Sequence, residues 1–291
     1  MFDRLVIVGP GLIGGSLGMA ARKKRLARRI VGVGRRRESL ARAVQLGAVD
    51  EASLDLESAA AEADLVVLAT GVETIAQQAA AVLPRMRKGA LLTDVGSAKA
   101  TICRSVEKVF SASAAEEVRF VGGHPMAGSE RRGIGSARAD LFQGAVCILT
   151  PTPSTDPGGA ALEIVRSLWK AVGCRVREMT PEEHDRLIAQ ISHLPHVAAA
   201  CLVNAASDEA LDLAASGFLD TTRVASGEPA LWVAICMANR EALLAALAAL
   251  GGRLDDFMRA LRSGDAKTLE ALLARAKSKR DGKAGRLGGD K

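Results

Sequence analysis

The hexapeptide Gly9-Pro10-Gly11-Leu12-Ile13-Gly14 constrains this chain more than any other stretch. It follows a β-branched run, Arg4 to Gly9 (RLVIVG), and opens a segment, Leu12 to Arg25, whose pattern predicts a helix. A G-x-G-x-x-G at a strand-to-helix turn is the fingerprint of a dinucleotide-binding βαβ unit. The glycines allow a tight turn and the close approach of a pyrophosphate, which the helix N-terminus then stabilises. Gly9, Gly11, Leu12, Ile13 and Gly14 are therefore the first candidate cofactor contacts.

The second predicted strand, Ile30 to Gly34, ends where such a unit usually carries an acidic residue for the ribose 2′-hydroxyl. Here Gly34-Arg35-Arg36-Arg37 stands instead. Losing the carboxylate and gaining guanidinium groups favours a 2′-phosphate, so Arg35 and Arg36 point to NADP over NAD. The alternation continues with a strand at Leu65 to Thr70, a helix at Ile75 to Leu83 and a strand at Ala90 to Asp94. Further strands are expected near 118–121, 145–149 and 174–177, with a helix over Leu162 to Val172. Ligands of open α/β sheets bind at the carboxyl ends of the strands. Thr70 lies at one such end, as a cofactor contact, and Asp94-Val95-Gly96-Ser97-Ala98-Lys99 at the next. Ser97 can cap the following helix, direct its hydroxyl at a ligand, or do both.

Gly122-Gly123-His124-Pro125-Met126-Ala127-Gly128-Ser129-Glu130 leaves the strand near 118–121. His124 is one of four histidines and has a glycine on either side of its motif, with Pro125 stiffening the turn. Histidine is the side chain best suited to proton transfer near neutral pH.

Past Glu178 the pattern becomes purely helical, starting at Thr180-Pro181-Glu182-Glu183 with proline at the first helical position. The predicted division is 1–178 for a dinucleotide-binding domain, 179–277 for a helical domain and 278–291 for a disordered basic tail. Ser192-His193-Leu194-Pro195-His196 carries two histidines and a proline that should kink its helix. Without a third ligand these histidines make a poor zinc site, and His193 reads as a packing residue bonded to backbone. Arg223, in an otherwise apolar helical region, calls for an anionic partner such as a substrate carboxylate.

Composition excludes several alternatives. The net charge of +6 resides mostly in residues 275–291, which carry seven basic and two acidic side chains. The remainder is near neutral and has no basic-aromatic platform, so nucleic acid is not an expected partner. The apolar run Ala242 to Gly252 is too short to span a bilayer, so no membrane association is expected. Five scattered cysteines and an N-terminus that enters a strand directly read as a cytoplasmic protein with reduced thiols.

Taken together, GPGLIGGSL, DVGSAK, GGHPMAGSE, ISHLPH and GFLDTTRVASGEPALW resemble the prephenate/arogenate dehydrogenases of tyrosine biosynthesis. The likeness runs from about residue 4 to about residue 262. It implies an α/β fold, a Rossmann-type domain followed by an all-helical dimerisation domain, hence a homodimer. It also implies oxidative decarboxylation of prephenate, or of arogenate, with hydride transfer to NADP or NAD. By motif position, His124 corresponds to the catalytic base and Ser97 to the serine that orients hydroxyl and nicotinamide. Arg223 corresponds to the arginine that holds the substrate carboxylate. Glu130 and Asp220 match acids that organise it, and Ser129, His196 and Trp232 match substrate-pocket residues.

Overall fold

The computed structural model describes residues 2–112, 118–128 and 133–287, with side chains to Gly282. The chain runs β1 (Phe2–Val8), α1 (Leu12–Lys23), β2 (Ala27–Val33), α2 (Arg37–Gln45), β3 (Glu51–Ser53), α3 (Leu56–Ala61), β4 (Leu65–Leu68), α4 (Val72–Val82), β5 (Leu91–Asp94) and α5 (Ala100–Ala112). It continues through β6 (Arg119–Pro125), β7 (Val146–Thr150), α6 (Ala160–Ala171) and β8 (Arg175–Glu178). The eight strands among the described residues form one sheet, ordered β3-β2-β1-β4-β5-β6-β7-β8. Neighbours are parallel except β6 and β7, which pair antiparallel.

Side-chain alternation explains why helices cover both faces. Leu5, Ile7, Leu65 and Val67 enter the core under α1 and α6, with Trp169 and Phe142. Val6, Val8, Val66 and Leu68 point the other way, into the core under α3, α4 and α5. Successive residues of a strand face opposite sides, so a run buried on both must be apolar throughout. Because β1, β4, β5 and β6 are parallel, their carboxyl ends share one edge. That edge collects Gly9, Thr70, Ser97 and His124. The sequence places His124 in a turn after the strand, but β6 extends to Pro125, so His124 sits on the strand itself. Proline is tolerated there because it ends the strand.

After β8 every element is helical: α7 (Pro181–Ile188), a π-helical turn (Ala189–His193), α8 (Leu194–Ala205), α9 (Asp208–Asp212), α10 (Ser216–Thr222) and α11 (Pro229–Ala238). Then follow α12 (Arg240–Ser263) and α13 (Ala266–Leu287). Thr180 caps α7, accepting from the Glu183 amide at 3.1 Å, with Pro181 in the first turn. The kink expected at Pro195 takes the form of the π turn before it, which accommodates a ring that would clash with the preceding carbonyl. Residues 181–205 form a helical run of 25 residues, long enough for a bilayer and with an 18-residue window of mean hydropathy 1.3, yet the run carries His184, Asp185, His193 and His196.

The composition change near 178 is not where packing thins. By contacts the chain divides into Met1–Arg240 and Glu241–Lys291. The first unit retains α7 to α11 because Asp185 of α7 binds the amides that open α5, and Asn239 binds the Asp185 carbonyl at 2.8 Å. Within the second unit α13 runs to Leu287, where the sequence reading places a disordered tail from 278. Alanine, lysine and arginine are strong helix formers, and a Lys277–Asp281 pair adds support one turn apart.

Candidate active site

The glycine turn is built as a ligand cradle. Gly9 has φ +83°, and a Cβ there would lie 2.7 Å from the Ala69 carbonyl oxygen. Gly14 lets α1 approach the sheet, since a Cβ would come within 2.5 Å of the Gly9 oxygen. Gly11 caps α1 with no side-chain cap and faces open space, leaving the first-turn amides for an anion. A cavity of about 590 Å³ brings Gly9 and Gly11 together with Arg35, Arg36, Ser39 and Thr70. Thr70 donates its hydroxyl to Gln78 Oε1 at 2.6 Å. Residues and shape both suit a dinucleotide.

An adjoining cavity of about 620 Å³ is lined by Gly11, Leu12, Ile13, Ser97 and His124 among others. It joins the dinucleotide cradle to the candidate base. His124 Nδ1 lies 2.8 Å from His184 Nε2, and His184 Nδ1 lies 2.7 Å from Asp185 Oδ1. Asp185 also accepts from the Lys99 amide at 2.7 Å and the Ala100 amide at 3.0 Å, so its carboxylate is fully engaged. These contacts set the protons. The carboxylate accepts, so His184 carries hydrogen on Nδ1 and offers a lone pair at Nε2. His124 must then donate from Nδ1, which leaves its Nε2 as a free lone pair. Burial, then His184 and Lys99, hold His124 well below its ordinary value, so the ring is neutral at neutral pH. A neutral imidazole with a free Nε2 can accept a proton.

A third cavity, about 220 Å³, is lined by Ser97, His124, Ser192, His193 and Trp232 among others. His196 stacks on Trp232, with centroids 3.4 Å apart and planes 14° from parallel. Gly227 makes that stack possible, since a Cβ there would lie 2.4 Å from Trp232 Nε1 and 2.7 Å from His196 Cε1. His193 does not bond to backbone, as the sequence reading expects. Its Nδ1 accepts from the Asn239 amide at 3.2 Å, which puts hydrogen on Nε2, and that atom has no partner among the described residues. Burial pushes His193 down to about 4, so it is a neutral donor. A buried donor without a partner is costly unless a ligand satisfies it.

Other expected residues are not gathered here. Arg223 and Asp220 are exposed and line none of these cavities. Ser129 and Glu130 lie outside the described residues.

Residues 17–178 match the nucleotide-binding domain of prephenate dehydrogenase, and residues 180–275 match the dimerization domain of prephenate dehydrogenase. The chain belongs to the prephenate dehydrogenase family. It is 36% identical over 289 residues to the prephenate dehydrogenase of Bacillus subtilis, covering 97% of this chain and 76% of that one. Its structure resembles that of Aquifex aeolicus prephenate dehydrogenase in complex with hydroxyphenyl propionate and NAD+. The TM-score is 0.88 at 31% identity, over 96% of this chain and 98% of that one. The arogenate dehydrogenase of Synechocystis is also similar, with TM-score 0.81 and 34% identity over 96% and 99% of the two chains. Membership makes this chain a dehydrogenase with a nucleotide-binding domain and a dimerisation domain.

For a prephenate dehydrogenase family member, three residues of this site escape a reading of the sequence: His184, Asp185 and Lys99. His184 and Asp185 stand in PEEHDRL, which reads as the solvated start of a helix. Lys99 stands inside the DVGSAK motif, where a lysine after a strand reads as surface. The available signal was the adjacent His-Asp pair, rare in a chain with four histidines.

Proposed function

We propose that this protein catalyses the oxidative decarboxylation of prephenate to 4-hydroxyphenylpyruvate, with NADP as the favoured hydride acceptor. The observation that carries the reading is the free Nε2 of His124, fixed by His184 and Asp185, in the cavity shared with Ser97 and the glycine turn. The bound dinucleotide supplies the hydride acceptor, held by Gly9, Gly11, Leu12, Ile13, Arg35, Arg36 and Thr70. His124 Nε2 takes the proton of the C4 hydroxyl, and Ser97 orients the same oxygen. The resulting ketone receives the electron pair of the departing ring carboxylate, which leaves as CO2, and aromatisation drives the step. Arg223, organised by Asp220, binds substrate carboxylate, while His196 and Trp232 flank the substrate; Glu130 and Ser129, which lie outside the described residues, are assigned to the same group by motif position alone. His193 donates Nε2–H to a substrate oxygen.

The described lining of the 220 Å³ cavity offers neutral rings and hydroxyls and no carboxylate, which suits a keto side chain better than an ammonium. Arogenate is the second reading, favoured by the likeness to the Synechocystis arogenate dehydrogenase. Steady-state kinetics at 340 nm with both substrates and both cofactors separates them, and prephenate with NADP is expected to give the highest kcat/KM. Ser39 joins Arg35 and Arg36 at the wall where a 2′-phosphate would lie. Each charge-assisted contact contributes about 1.5–3 kcal/mol, so replacing either arginine with alanine should cost NADP over tenfold in affinity and leave NAD little changed. A wild-type preference for NAD would sink the cofactor assignment.

We also infer a homodimer. Helices of the matched dimerisation domain expose Ile191, Val233, Met237 and Leu261, all more than 60% accessible. Apolar exposure on that scale calls for a partner surface, and twofold dimers are the commonest closed assembly. Light scattering at micromolar concentration should return twice the chain mass of 30.3 kDa. A monomer mass would count against it.

A further inference from the structure

The pairing of β5 with β6 ends at Thr93 and Val121, two residues before the peptide that leads into His124. Beyond that point β6 keeps only β7 as a strand partner, with Gly123 opposite Leu149. The other side of Gly123 is taken by two side chains. Its amide donates to Asp94 Oδ1 at 3.2 Å, and its carbonyl accepts from Lys99 Nζ at 2.8 Å. Lys99 and Asp94 are themselves ion-paired through Asp94 Oδ2, which also accepts from the Gly96 amide at 2.8 Å. Both side chains have no exposed surface.

A wholly buried ion pair is a poor way to stabilise a fold, because desolvation offsets much of its attraction. An apolar pair would fill the space at less cost. Nor can a lysine without exposed surface reach a substrate. What the pair does provide is a substitute strand edge. It grips both backbone polar atoms of Gly123, the residue before His124, where β5 has ended and the sheet has opened into the ligand cavity. It also puts a fixed cation behind the base.

We propose that Lys99 and Asp94 are positioning residues for the reaction: their ion pair takes the place of a strand partner for Gly123 and holds the backbone that carries His124. This rests on His124 being the base. The charged and titratable groups around His124 are His184 and Asp185 from α7, His193 from the π turn, Cys147 from β7, and Lys99 with Asp94 from the end of β5. Among them Lys99 opposes protonation of both His124 and His184, whereas Asp185 and Asp94 favour it at His184, and at His124 only the lysine of the pair acts. Withdrawing the cation therefore makes His124 easier to protonate.

The test removes both charges, because removing one alone strands the other in the interior. Lys99→Gln with Asp94→Asn removes both fixed charges while keeping a polar side chain at each position, the glutamine being one bond shorter than the lysine that meets the Gly123 carbonyl at 2.8 Å. Titration of binding sites with reduced cofactor counts folded protein, so kcat is read per site. The expected result is a kcat about 10²-fold lower with KM changed less than threefold, since small misplacements of a catalytic group cost that much. The acid limb of the pH profile should also move to higher pH, and histidine NMR should show the His124 titration moving with it. Lys99→Arg, which keeps the charge but not the fit, should lower kcat and leave the limb in place. A pair that only stabilised the fold would reduce the number of sites and leave kcat per site and the acid limb as in wild type. That outcome would overturn the proposal. Failure of the functional reading looks different, as wild-type protein would then oxidise neither prephenate nor arogenate.

Discussion

His124→Asn is expected to lower kcat by about 10² to 10⁴-fold, the usual contribution of a general base, while cofactor affinity and thermal stability stay close to wild type. His124 lines the cavity between the glycine turn and Trp232, and among the described residues its ring makes one side-chain hydrogen bond, to His184. Little of the fold depends on it. Arg223→Ala should behave differently, raising KM more than it lowers kcat, because it removes carboxylate binding already present in the ground state. The pH profile adds a check with a definite sign. The base works unprotonated, so activity is lost as pH falls through its pKa. Burial, His184 and Lys99 hold that pKa well below the usual 6.5, so the wild-type acid limb should lie below that value. The residual activity of the asparagine variant should lack the limb. Near-normal kcat with an unchanged limb would move the base elsewhere, with His196 the next candidate.

Asp185→Asn should be almost as damaging, although Asp185 touches neither substrate nor cofactor in this reading. Its two oxygens accept from His184 Nδ1, the Lys99 amide and the Ala100 amide. An amide retains only one acceptor. If its NH2 turns toward His184, the proton order of both rings reverses and His124 Nε2 becomes a donor. In hydrolytic triads the same carboxylate-to-amide change costs roughly 10⁴-fold through the wrong tautomer. A kcat loss of about 10² to 10⁴-fold is expected here, with KM within a few-fold. Part of the α5 cap is lost as well, so melting should fall by an amount near that of one helix cap, about 1 kcal/mol. Full activity per folded site would mean that the His124 tautomer is set without the relay.

Much of this architecture is legible in the residues. The strand-to-helix glycines, the apolar runs of β4 and β5 and the proline start of α7 each follow a local rule that tertiary packing did not override. β3 and α3 are less legible, being three and six residues long with more than half their residues exposed. Their pattern is too short to have a period. The site divides in the same way. Motif residues at strand ends are visible because glycine and histidine are unusual there. Lys99, His184 and Asp185 are hidden because charged residues near helix starts usually face water, and only the fold turns these inward. Arg223 shows the converse, since a motif can name a residue that lies outside the cavities of a single chain.

The four histidines of this chain are His124, His184, His193 and His196, and every one of them lies in or beside the same site. The scaffold is thus blank to any probe that reports on imidazole. An imidazole spectrum contains signals from these four rings alone, each giving two carbon-bound protons and two nitrogens to assign. The chain also has no tyrosine, and one of its two tryptophans, Trp232, stacks on His196 while the other, Trp169, is sealed in the sheet core. A phenol formed in the cleft would therefore absorb against a protein that has none of its own. Turnover and binding can be followed in the unlabelled enzyme by imidazole resonances to which the scaffold adds none, and by a phenol band read over two tryptophans and no tyrosine.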